Sequence, residues 1–115
     1  MFSRCSPVNK RCLCCAQNGA RPLWPILAGS DAPNPTTAHG WSLLVELDML
    51  QRAGLPLESV LHAATAAPAK AFALPHQGRI ADGMKADLLL LDAGATTNLR
   101  ALFHPQAVWK NGFEL

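Results

Sequence analysis

Four leucines stand in a row at Leu88, Leu89, Leu90 and Leu91, inside an apolar run that begins at Ala86. Side chains alternate across a strand, so a run with no polar position has no face suited to water. Strands of this kind are found where a sheet is covered on both sides. The run therefore calls for more covering structure than a small autonomous sheet provides. About half of the 115 residues are apolar, so a core is possible, and the question is which segments build it.

From Met1 to about residue 23 there is neither a period of two nor one of 3.6, and Pro7, Gly19 and Pro22 interrupt the stretch. We assign residues 1–23 no function. Cys5, Cys12, Cys14 and Cys15 all fall there. A structural zinc site usually shows two separated ligand pairs, whereas this is one tight cluster with no nearby histidine, so incidental thiols are the expectation.

Order begins after Pro25. Ile26, Leu27 and Ala28 read as a short buried strand closed by Gly29 and Ser30, with Asp31 at its C-terminal tip. Pro33 and Pro35 make the segment from Ala32 to His39 a loop. Leu43, Leu44, Leu47 and Leu50 then recur at helical spacing, opposite Glu46, Asp48, Gln51 and Arg52, and Gly54 is the natural stop. A second helix is predicted from Pro56 to Thr65, and a third from Pro68 to the break at Leu74-Pro75. Beyond it the pattern changes to strands: Arg79 to Ala81, a turn at Asp82-Gly83, the run Ala86 to Leu91, and a hairpin about Asn111-Gly112.

Charge narrows the function classes. The formal charge is +2 and the ten Lys and Arg residues are scattered, so the sequence offers no basic stripe for nucleic acid. No apolar run reaches the roughly 20 residues that span a bilayer, and the expected location is the cytoplasm.

Three phrases together carry a resemblance. They are Leu27-Ala28-Gly29-Ser30-Asp31-Ala32, then His39-Gly40 leading into the helix with Glu46, then Gly78-Arg79-Ile80-Ala81-Asp82-Gly83-Met84-Lys85-Ala86-Asp87-Leu88. From about Pro25 to Gly112 the chain resembles the amidohydrolase superfamily, in particular its imidazolonepropionase-like and prolidase-like members. The resemblance implies an α/β fold: residues 24–75 as the C-terminal end of a (β/α)8 barrel, its last strand and following helices, and residues 76–115 as strands of an adjoining small β-sandwich. It implies a metal-dependent hydrolase of C–N bonds in amides, cyclic amides or peptides, with a small-molecule amide or peptide as substrate.

By the same resemblance Asp31 is the catalytic carboxylate that touches a divalent metal, expected to be zinc, and accepts a proton from the attacking water. Barrel enzymes do place reacting groups where strands emerge at the C-terminal face. A carboxylate beside a cation stays ionised and can still take that proton. The alternative for Asp31 is a cap on the loop that follows a strand. His39, on the loop over the expected mouth, is a candidate substrate contact, against a plain role at a helix start. His62 and His76 fit solvated or packed roles. Gly83 and Asp87 fit turn-building roles, with Asp87 accepting backbone N–H groups.

The family's His-x-His pair is missing from this sequence, and all four histidines follow Asp31. A catalytic zinc takes about three protein ligands. The expectation is therefore a C-terminal fragment, inactive alone and prone to self-association through exposed edges. Two alternatives stand beside it: a non-catalytic remnant, and a small interaction module whose N-terminal cysteines bind metal.

Overall fold

The computed structural model describes residues 25–96 and 98–115. Its elements are three helices, α1 (Trp41–Arg52), α2 (Leu57–Ala64) and α3 (Ala66–Ala71), followed by three strands, β1 (Leu88–Leu90), β2 (Ala107–Lys110) and β3 (Phe113–Glu114). Two short 3-10 helices, Ala93–Thr96 and Leu99–Phe103, lie between β1 and β2.

Helix α1 follows the leucine spacing. Leu47 and Leu50 are buried, while Arg52 and Asp48 pair on the solvent side at 3.8 Å. Its end is a Schellman motif: the Gly54 N–H donates to the Gln51 carbonyl at 2.9 Å and the Leu55 N–H reaches back to that of Leu50 at 3.2 Å. Gly54 takes φ 99°, a left-handed conformation that glycine adopts without a Cβ penalty. Leu55, carried past the cap, is buried in the same cluster as Leu50. Pro56 precedes α2 rather than opening it, with φ −57° and ψ 146°, and its carbonyl accepts the Val60 N–H at 3.0 Å.

Helix α3 closes by the same device with a different residue. The Ala73 N–H donates to the Lys70 carbonyl at 3.3 Å and the Leu74 N–H to that of Ala69 at 2.8 Å. The left-handed position is Ala73, at φ 52°, where an L-residue carries about 1–2 kcal/mol of steric cost.

The core gathers Leu47, Leu50, Leu55, Val60 and Leu99, with Ile26, Ala28, Leu43, Leu57, Leu61, Ala64 and Leu102 packed against it. Val60 is wholly buried. The sheet is antiparallel in the order β1-β2-β3, with Leu88 opposite Trp109, Leu89 opposite Val108 and Leu90 opposite Ala107. Asn111 and Gly112, at φ 53° and 85°, make the β2–β3 turn, the left-handed pair that type I′ hairpins require.

Two predicted strands are not formed. Residues 25–31 carry no strand pairing; the backbone bond that ties them to the helices is Ala28 N–H to the Ala63 carbonyl, 2.9 Å. Burial still alternates along this stretch, with Ile26, Ala28 and Ser30 partly covered and Pro25, Leu27, Gly29 and Asp31 exposed, the period of extended chain. Extended chain becomes a strand only beside another, and no described segment lies there to pair with it. Arg79 to Ala81 is likewise unpaired, although the turn that follows is present: the Met84 N–H donates to the Ala81 carbonyl at 3.2 Å and Gly83 has φ 75°.

Candidate functional site

Asp31 stands at the end of the extended segment, exposed to solvent, at φ 51°. Aspartate is among the few non-glycine residues that enter the left-handed region readily. The loop beyond it folds as consecutive turns. The Asp31 carbonyl accepts the Asn34 N–H at 3.2 Å, and the Asn34 carbonyl accepts the Thr37 N–H at 3.0 Å and the Thr37 hydroxyl at 2.8 Å. Across the first turn the Asn34 side-chain amide donates to Asp31 Oδ2 at 2.7 Å. One carboxylate oxygen is thus held by a neutral donor. The other, Oδ1, has no hydrogen-bond partner among the described residues.

Asn34 is the residue that sequence reasoning missed. The signal was available, since an asparagine three positions after an aspartate inside a proline-bounded turn can close that turn through its side chain.

His39 lies at the far end of the same loop, exposed, with its carbonyl accepting the Trp41 N–H at 2.9 Å. The start of α1 is fixed by neighbouring groups: the Ala38 N–H donates to Ser42 Oγ at 2.8 Å and the Ser42 N–H to the Ala38 carbonyl at 3.2 Å. Among the described residues no hydrogen bond joins His39 to Asp31. The two candidates share a loop rather than a bonded network.

Among the described residues no three His, Cys, Asp or Glu side chains converge as a metal site would require. Asp31 supplies a single carboxylate, so these residues do not by themselves fit a catalytic metal centre, which takes about three protein ligands. The four cysteines lie outside the described residues. No helix among the described residues is long and apolar enough to cross a membrane.

Asp87 has a defined structural task. Its Oδ1 accepts the Asn111 N–H and its Oδ2 receives Lys110 Nζ, both at 2.8 Å, while the Gly112 N–H donates to the Ala86 carbonyl at 2.9 Å. Lys110, then the Asn111 N–H, hold this carboxyl below its ordinary value of 3.8. The expected backbone partner is therefore real, but it comes from the far hairpin rather than from the local turn.

The amidohydrolase family model matches residues 23–112. That is most of the chain, and it includes Asp31, the three helices, β1 and β2; the chain belongs to the amidohydrolase family. No curated protein matches it.

Proposed function

We propose that this chain is the C-terminal portion of a metal-dependent amidohydrolase that cleaves C–N bonds in small amides, cyclic amides or peptides, and that Asp31 is its catalytic carboxylate. The observation that carries the reading is Asp31 itself, exposed at the tip of an extended segment within the family match and steadied through one oxygen by Asn34. In the proposed enzyme that segment is the last strand of a (β/α)8 barrel, whose reacting groups sit where strands emerge.

Asp31 suits a double role. The Asn34 amide orients the carboxylate without neutralising it, so one oxygen is left to meet a cation and to take the proton of an attacking water. The cation would lower the pKa of such a water when bound, and its remaining ligands would come from outside the described residues. His39, on the same loop, is proposed to contact the substrate. One carboxylate among the described residues does not make a metal site, so the chain alone is expected to show no turnover.

Two measurements test this. In a complete amidohydrolase, asparagine in place of the aspartate that aligns with Asp31 is expected to lower kcat by about 10²–10⁴ at unchanged stability; full activity would refute the assignment. The isolated chain, assayed on dipeptides and cyclic ureides with added zinc, is expected to be inactive. Turnover there would overturn the claim that essential ligands lie elsewhere.

A further inference from the structure

A concave surface lies on the helical side, away from the loop of Asp31 and His39 and lined by neither. It is an open groove of about 630 Å³ between the end of α2, helix α3 and the chain that follows. Its apolar lining comes from Ala66, Ala69, Ala73, Leu74 and Pro75. Its polar lining is His62, Lys70, Gln77 and Arg79, with no Asp or Glu. Among the described residues neither Lys70 nor Arg79 has an ion-pair partner, since the salt bridges join Arg52 to Asp48 and Lys110 to Asp87.

The groove is built rather than incidental. Leu74 is tied to Ala69 through the α3 cap, the Gln77 N–H donates to the Leu74 carbonyl at 3.3 Å, and the Lys85 N–H donates to that of His76 at 2.8 Å. Gly78 presses onto the helix start: a Cβ there would lie 2.6 Å from Ala69 Cβ and 2.7 Å from the Thr65 carbonyl oxygen. That close approach holds the backbone beside Arg79 against α3, and Arg79 lines the groove together with Lys70.

We infer that this groove binds an amphiphilic anion, an apolar tail carrying a carboxylate or phosphate head, with the tail along the alanines and Leu74 and the head between Lys70 and Arg79. The volume falls within the few hundred to a thousand Å³ usual for small-molecule sites. An apolar floor under two cations with no acid nearby selects for charge sign as well as for hydrophobicity.

The test uses the full 115-residue chain and four probes that share an octyl tail or its length: octanoate, octyl phosphate, octanol and octyltrimethylammonium. Affinities are read from amide NMR shifts, with saturable changes expected at Leu74, Gln77 and Gly78. Either or both anions should bind, which distinguishes a carboxylate from a phosphate head, and octanol and octyltrimethylammonium should bind more weakly. Lys70→Gln and Arg79→Gln, both at exposed positions, should each weaken the anion by about twofold to fivefold, as expected for charge pairs near solvent. Leu74→Ser should weaken all tailed probes alike. The inference is overturned if neither anion binds, if octyltrimethylammonium or octanol binds as tightly, or if both charge-removing variants leave the anion affinity unchanged.

Discussion

The helices and the sheet of this chain solve the burial problem to different degrees. Among the described residues the helical half contributes every buried one but Leu99, and it closes each of α1 and α3 with a six-to-one cap that returns a leucine towards the helix it leaves. The sheet contributes none: Leu89, Leu90 and Phe113 stand 53%, 48% and 76% exposed in strands that pair correctly. Backbone pairing needs only a register and a turn, both of which the local sequence supplies. Covering a two-faced leucine strand needs a further layer. The helices therefore set the stability of the described structure, while the sheet is the part that asks for a partner.

The sharpest way to break that contrast is to replace one leucine in each half. Leu50→Ala should cost about 2–5 kcal/mol in urea unfolding, whereas Leu89→Lys should change stability by less than about 0.5 kcal/mol. The same Leu89→Lys chain should self-associate less in sedimentation, since a charge on an open edge strand opposes edge pairing. Equal costs at the two positions would mean that the sheet is packed as tightly as the helices.

A smaller effect probes the join between the halves. Gly78→Ala forces a Cβ against helix backbone at a left-handed φ of 84°, and should cost about 2–4 kcal/mol. The caps give smaller effects of opposite sign. Gly54→Ala should destabilise by about 1 kcal/mol, and Ala73→Gly should stabilise by about 0.5–1 kcal/mol, because one site has the residue its backbone wants and the other does not. Thermal melts of the pair would show it.

The smallest effect is the pH dependence of the hairpin latch. The Asp87 carboxyl is held below its ordinary value when folded, so its stabilisation is complete above about pH 4 and is lost as the pH falls through the folded value. Asp87→Asn should remove that acid-side dependence without moving the helical core. Amide exchange at Asn111, measured from neutral to acid pH, checks this; a pH-independent wild-type hairpin would contradict it.

Helix positions, the Asn111-Gly112 turn and the loop at Pro33 to Pro35 could be read directly, because leucine spacing, glycine at a cap and paired prolines each act within a few residues. Asp31 could be chosen only because three separate phrases agreed; alone, an aspartate after an apolar triplet also fits a cap. The partner it has, Asn34, was legible as turn chemistry but not singled out. Pairing was less visible: Ile26 to Ala28 and Arg79 to Ala81 have strand-like residues, yet a strand is a relation between segments.

By itself the sequence determined much of the local geometry: which residues coil, that Gly54 stops α1, and which dipeptide reverses the chain, since these depend on propensity and on allowed φ and ψ. The end of α3 came at Ala71, before the expected break at Leu74-Pro75, because Ala73 takes the left-handed cap. Only the tertiary structure decided that Asp87 latches a hairpin 24 residues away, that Gly78 lies against α3, and that Lys70 and Arg79 share a groove. Those contacts join residues distant along the chain, and their energy arises from packing and charge that no local pattern encodes.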